Sequence, residues 1–271
     1  MVIAVINTKG GVGKTTTAVN LAAALGERGR VLLVDADSQA GASLGLGVAR
    51  PKLCPSLAHP LLYGLPLARA IRQSGVPGVD LITASGDLAN TDLALGELKQ
   101  RELCLRRLVS PLRRRYHAII IDCPPGLSLL QINALAAAGW FLVTVSPQYL
   151  SLEGVTGILD VADRVRRRFH PQLRLLGIVM TMVDQRSKSG TEIMKMLRGH
   201  YGSRVLHTQI PLHGAVAEAP SFGQTIFQYA PSSPPAHAYR RLTAEVLRRV
   251  QGGRSGWRFK DGIPSRSARP L

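Results

Sequence analysis

Seven short apolar runs recur along the chain: Val2 to Ile6, Val31 to Val34, Val79 to Ile82, Ala118 to Ile121, Phe141 to Val145, Leu175 to Thr181 and Val205 to Ile210. Apolar and polar residues do not alternate within them, so a strand made from any of them is buried on both faces. Between the runs lie stretches with apolar residues three and four apart, the spacing of one helix face. The first carries Val19, Leu21, Ala22 and Leu25 and predicts a helix that starts at Thr15 or Thr16 and ends near Gly26 or Gly29. Further helices are predicted across Thr91 to Leu112, Ser128 to Ala137, Leu152 to Phe169, Gly190 to Tyr201 and Pro235 to Val250. Strands buried on both faces and alternating with helices imply an α/β fold of three layers, with a mostly parallel twisted sheet in the middle. The proline- and glycine-rich stretch Gly47 to Pro66 reads as a surface excursion rather than a linker. Residues 1–250 form one expected domain, and residues 251–271, rich in Gly, Ser, Pro and Arg, a basic flexible tail.

Composition narrows the class of partner. The 271 residues carry 34 Lys and Arg against 17 Asp and Glu, a formal charge of +17, which exceeds what solubility requires. Such an excess points to a polyanion, either nucleic acid or an anionic membrane surface, more than to a base-composition bias toward arginine codons. The three cysteines, Cys54, Cys104 and Cys123, lie far apart with no Cys-x-x-Cys, which argues against a disulfide framework, a zinc site or an iron–sulfur cluster and for a reducing compartment, the cytosol. No apolar stretch approaches the roughly 18 residues of a membrane span and no leader pattern is present, so a soluble cytoplasmic protein is expected. Seven histidines are scattered without ligand spacing.

The chemistry concentrates where apolar runs end. Directly after the first run stands Thr8-Lys9-Gly10-Gly11-Val12-Gly13-Lys14-Thr15-Thr16-Thr17. Closely spaced glycines let several backbone N–H groups turn inward, and the following helix adds its positive end, so the segment makes a cradle for an anionic triphosphate such as ATP. Lys14 should face the β- and γ-phosphates and the Thr15 hydroxyl should ligate Mg²⁺. The ordinary phosphate-loop pattern wants glycine five residues before Gly13; Thr8 stands there, with an added lysine, Lys9, next to it. This is the deviant Walker A variant. A second run delivers Asp35-Ala36-Asp37 and a later one Asp122-Cys123-Pro124-Pro125-Gly126, again at strand ends, where open α/β sheets bind ligands. Asp122 is the natural carboxylate on the Mg²⁺ side, and Asp35 or Asp37 could orient or deprotonate an attacking water. Cys123 has no partners in a catalytic pattern and reads as a small buried hydrophobe.

With these segments the chain resembles the ParA/MinD superfamily of P-loop ATPases, and within it the Soj/ParA family of chromosome-partitioning ATPases, from Val2 to about Val250. Further family-like stretches are Ile132-Asn133-Ala134-Leu135, Leu152-Glu153-Gly154-Val155, Thr181-Met182-Val183-Asp184 and Glu218-Ala219-Pro220-Ser221-Phe222-Gly223. The resemblance implies a P-loop NTPase fold of the deviant Walker A subclass and a slow, partner-stimulated ATPase. In that family Lys9 is the signature lysine that reaches the phosphates of a second copy, so an ATP-dependent homodimer is implied. Residues Gly10 to Thr16 would bind the nucleotide, Asp37 would match the water-activating aspartate, Asp35 its neighbour near magnesium and Asp122 the Walker B residue, while the segments at Met182 and Pro211 would line the adenine. Non-specific DNA, met partly through Arg186, and a ParB-like stimulator are the implied partners, with a nucleoid location. Two departures stand out. Relatives usually read Asp-Pro-Gln-Gly-Asn where this chain has Asp37-Ser38-Gln39-Ala40-Gly41, and Ala215 occupies the place of a second DNA-contacting arginine. The arginines at 164 and 166–168, or at 240, 241, 248 and 249, are candidates to compensate. A cargo-positioning relative would use identical chemistry. A MinD-like membrane switch is disfavoured, because Gly252, Gly253, Gly256, Gly262 and Pro264 interrupt any interfacial helix near Trp257 and Phe259.

Overall fold

The computed structural model describes residues 1–147, 152–184, 186 and 188–253. Eight strands form one sheet: β1 (Val2–Ile6), β2 (Val31–Asp35), β3 (Ile71–Gln73), β4 (Val79–Ile82), β5 (Ala118–Asp122), β6 (Trp140–Val145), β7 (Arg174–Val183) and β8 (Val205–Pro211). Their spatial order is β3-β4-β2-β5-β1-β6-β7-β8. All pairings are parallel except β3 with β4, which is antiparallel at the edge. Every predicted apolar run is thus a strand. β3 went unpredicted because Ile-Arg-Gln offers one apolar residue in three and no periodicity.

The continuous apolar runs are explained by the two faces. Along β1, Ile3 and Val5 join the core on one face, and Val2, Ala4 and Ile6 join the core on the other. Helices Lys14–Gly26 and Pro234–Gly253 cover the first face through Leu21, Leu25, Tyr239, Leu242 and Val246. Helices Leu129–Ala137, Leu152–Arg168 and Lys188–Tyr201 cover the second through Leu135, Ile158 and Leu197. Each such buried leucine or isoleucine contributes about 2 kcal/mol relative to exposure.

Two expectations need correction. The helix expected across Thr91 to Leu112 is broken into Thr91–Ala94, a turn at Arg101–Leu103, Cys104–Val109 and a 3-10 stretch at Ser110–Arg114. Gln100 adopts a left-handed φ of 57° that no helix tolerates, and the Asn133 side chain takes over the backbone there. Asn133 accepts from the Leu105 amide at 3.0 Å and donates to the Arg101 carbonyl at 2.9 Å. Tertiary hydrogen bonds thus override a helical periodicity. The stretch Gly47 to Pro66 is no surface excursion either: it contains the helix Ala58–Leu62 and buries Leu53, Leu57, Ala58 and Leu61 in the core. The Arg72 guanidinium fastens it by donating to the carbonyls of Lys52, Leu53 and Pro55. The last helix, expected to end at Val250, runs to Gly253, and residues 254–271 of the expected tail lie outside the described residues.

Because the seven strands other than β3 are parallel and the long helices return antiparallel to them, each of the seven delivers its last residue to one edge of the sheet, the carboxyl edge. Helix ends collect at the opposite, amino edge. β1 lies centrally, where the chain first winds toward β2 and later toward β6, and its carboxyl end is therefore the switch point of the sheet.

Candidate phosphate-binding site

The loop after β1 has the shape its glycines predict. Gly11 and Gly13 hold φ of 71° and 75°, a region that costs an L-residue energy, and Gly13 caps the helix Lys14–Gly26. A side chain at Gly10 or Gly11 would meet nothing within 4 Å, so the loop borders open space, whereas one at Gly13 would press on Thr181 at 3.4 Å. The loop is anchored from three sides. Asn7 accepts from the Lys9 amide at 2.9 Å, Thr181 donates its hydroxyl to the Val12 carbonyl at 3.0 Å, and the Gly126 amide donates to the Thr8 carbonyl at 2.8 Å. The last bond ties the phosphate loop to the loop that follows Asp122.

Lys14 is buried, and its ammonium donates to the Lys9 carbonyl at 2.7 Å across the loop. Burial lowers its pKa, with Asp122 as the largest opposing influence. Lys9 itself is exposed at the loop tip.

Asp35 and Asp122 lie directly opposite each other across the β2–β5 pair, both fully buried. Two adjacent carboxylates out of water repel, and each carboxyl is held above its ordinary range. For Asp35 burial is the main cause and brings it to about 6; for Asp122 burial comes first and Asp35 second. Their hydrogen bonding differs sharply. Asp35 is engaged: Ser43 donates its amide at 2.8 Å and its hydroxyl at 2.6 Å to one oxygen, and the Asp37 amide donates to the other at 3.2 Å. Neither oxygen of Asp122 accepts a hydrogen bond; the Thr15 hydroxyl beside it eases the burial without bonding in proper geometry. A buried carboxylate with two orphaned oxygens next to a threonine hydroxyl fits a hard divalent cation such as Mg²⁺. Asp35, by contrast, braces the loop behind it.

That loop carries Asp37, half-buried, whose carboxylate accepts from the Gln39 amide at 3.0 Å. Ala40 then takes φ 57° while fully buried, a conformation that costs an L-residue about 1 kcal/mol. Gly41 lets the loop approach Thr15: an added Cβ would lie 3.4 Å from its methyl. Cys123 is fully buried, as expected of a small hydrophobe.

Met182 and Pro211 stand at adjacent strand ends, joined by the Leu212 amide donating to the Val183 carbonyl at 3.0 Å and by the pairing of Val183 with Pro211. Met182 adopts φ 54°. Arg186 projects outward with its side chain 93% exposed, its guanidinium 3.3 Å from the Asp184 carboxylate. Ala215 is buried in the helix Gly214–Glu218 and offers no cation. Sequence reasoning gave no role to Asn7, Ser43 and Thr181. Their signal is a polar residue inside or beside an apolar strand end, which demands a partner once buried.

Comparisons with known proteins agree with this geometry. A family profile described as an AAA domain matches residues 1–175. The "Chromosome-partitioning ATPase Soj" of Thermus thermophilus is 47% identical over 250 residues, covering 92% of this chain and 96% of that protein. The "Chromosome partitioning protein ParA" of Caulobacter vibrioides is 39% identical over 251 residues, covering 92% and 94%. Among solved structures, a cobyrinic acid a,c-diamide synthase from Mycobacterium smegmatis with bound ATP analog and magnesium superposes with a TM-score of 0.82 at 33% identity, covering 93% of this chain and 96% of that one.

Proposed function

The chain belongs to the ParA/MinD superfamily of P-loop ATPases, among the Soj and ParA chromosome-partitioning proteins, and from that membership we propose an ATP-gated switch that pairs two copies on DNA. Its substrate is ATP and its cofactor Mg²⁺. The observation that carries the reading is the orphaned carboxylate of Asp122 beside Thr15, at the foot of a glycine loop open to solvent. Since the same fold serves a protein named as a synthase, fold alone does not choose the function. The 47% identity running across nearly the whole chain favours partitioning.

In this reading the backbone amides of Gly10 to Thr16 cradle the phosphates, and Lys14 exchanges the Lys9 carbonyl for phosphate oxygens. Thr15 and Asp122, with Asp35 one layer behind, would hold Mg²⁺, which when bound neutralises charge on the β- and γ-phosphates. Asp37 orients the attacking water, and its half-buried place on a loop braced by Ser43 keeps it near the phosphates. Lys9, exposed at the loop tip, reaches the phosphates of a second copy and completes charge neutralisation only when two copies meet, as an arginine finger does. Met182 and Pro211 flank the base. Arg186 presents a cation to a DNA phosphate, in exchange for a surface ion pair worth little. A ParB-like partner accelerates hydrolysis and releases the DNA, giving a nucleoid-associated cytoplasmic cycle.

Duplex binding measured with Mg-ATP, Mg-ADP and no nucleotide tests this. The expected outcome is a component present only with Mg-ATP, weakening steeply with salt and lost in Arg186→Ala. Equal retention in all three states refutes the gating.

A further inference from the structure

We propose that the amino edge of the sheet, the pole opposite the phosphate loop, is a second binding surface, for the phosphate backbone of nucleic acid, built from Arg28, Arg114, Arg115, Arg168 and Arg248. These five are exposed, and none forms an ion pair among the described residues. They come from distant parts of the sequence, and the winding of the fold brings them together: Arg28 follows the first helix, Arg114 and Arg115 precede β5, Arg168 ends the helix before β7, and Arg248 lies near the end of the last helix.

The edge is continuous. The His117 amide, just ahead of β5, donates to the Arg30 carbonyl just ahead of β2. Arg113 donates to Ala137 before β6, Arg106 to Phe169 before β7, and Arg249 to Leu176 and Val205 at the starts of β7 and β8. From β4 to β8 the edge spans about 30 Å at the usual strand spacing. That is close to one turn of a duplex.

Charge is left over here. Three of the local carboxylates are already taken: Asp80 by Arg30 and Tyr116, Asp163 by Arg166 and Arg167, Glu245 by Arg249 and the amides of His207 and Thr208. Glu27 is the exposed one that remains. Cations beside helix C-termini also answer the helix dipole, but at about half a charge per helix the four long helices ending here call for about two of them. The positive field reaches inside as well. Buried His170 is pushed down to about 4, by burial first and then by Arg106 and Arg113.

The chemistry selects nucleic acid over a membrane. Among the described residues the large exposed apolar side chains, Tyr63, Leu93, Leu98, Leu127, Met196, Leu212 and Phe222, all lie on other segments, so the described part of this pole offers no apolar side chain of that kind to lipid. The five side chains named are all arginine, whose planar fork matches phosphate in a bidentate way. Since the surface shares no residue with the phosphate loop, binding there is independent of nucleotide and separate from the ATP-gated contact at Arg186.

The test uses the full chain and a 30-bp duplex, by anisotropy across a KCl series, without nucleotide and with Mg-ATP. The fourfold variant Arg114→Gln/Arg115→Gln/Arg168→Gln/Arg248→Gln should lose at least tenfold in nucleotide-free affinity at low salt. Its slope of log K against log salt should flatten by about 3 to 4, at 0.9 per lost phosphate contact. The corresponding fourfold lysine variant should keep the slope, and Arg186→Ala should leave the nucleotide-free component intact while removing the ATP-gated one. Should the glutamine variant melt lower than the parent, Arg114→Gln/Arg115→Gln alone should still flatten the slope by about 2. The proposal is overturned if the parent shows no nucleotide-free duplex binding, if the variant matches the parent in affinity and slope, or if the four arginines instead govern retention on anionic-lipid vesicles.

Discussion

The two edges of one sheet handle polar groups in opposite ways. At the carboxyl edge the fold leaves buried charge short of partners: among the described residues the two oxygens of Asp122 accept no hydrogen bond, and Lys14 donates to a carbonyl of its own loop. At the amino edge the half-buried Asp80 and Asp163 and the buried Glu245 are answered, Glu245 by two amides and Arg249, and what is left over is exposed arginine. An unanswered buried group costs stability until a ligand of matching charge and geometry arrives, so it marks a specific site. A surplus of exposed charge costs little and attracts any polyanion, with salt-dependent strength. The lesson is that specific and non-specific binding can be told apart by where the unpaired charge sits.

The sharpest break in the comparison comes at Lys14. Lys14→Ala should reduce ATP affinity at least a hundredfold by calorimetry, because the cation facing the phosphates is lost, while Arg115→Ala at the opposite edge should leave it within twofold. Unchanged binding in Lys14→Ala means the loop does not hold phosphate.

A smaller effect separates function from stability. Asp122→Asn removes a buried carboxylate whose oxygens accept no hydrogen bond among the described residues and which Lys14 and Thr15 only partly offset, so the nucleotide-free protein should gain about 1 to 2 kcal/mol and melt a few degrees higher, while the extra stabilisation given by Mg-ATP should vanish. A lower melting temperature without nucleotide would show that the carboxylate is satisfied within the fold.

The smallest effect belongs to the amino edge. His170 is neutral in the folded protein down to about pH 4, whereas an unfolded chain protonates it near 6.5. Between those values the unfolded state binds the extra proton, so stability from this group is full above 6.5, falls as pH drops toward 4, and levels off below. His170→Asn should flatten the melting profile across that window; an unaltered slope would place the imidazole in water.

Much of this was legible in the sequence. The phosphate loop is contiguous, and Lys9, Lys14 and Thr15 need only a strand before and a helix after to find their places. Asp35, Asp37 and Asp122 were legible because apolar runs end at them, and a parallel sheet brings strand ends together. The Thr91 to Leu112 region was not legible, since the Asn133 side chain that rebuilds it lies some thirty residues on. Nor was the burial of Leu53 and Leu57, because a proline-rich stretch carries no period and is held by Arg72 from across the sheet edge. The support given by Ser43 and Thr181 was hidden for the same reason: each acts on a partner that only the fold brings near. The arginines of the amino edge could be counted in the sequence, but only the winding of the chain places them at one pole.

The central claim is that ATP closes two copies around the carboxyl edge, each lending Lys9 to the other. Light scattering of Asp37→Ala in saturating Mg-ATP tests it most directly. The expected mass is twice the 29.2 kDa of the chain, returning to a single chain when Lys9→Ala is added. A monomer in the presence of intact Lys9, or a dimer that persists without it, would contradict the account.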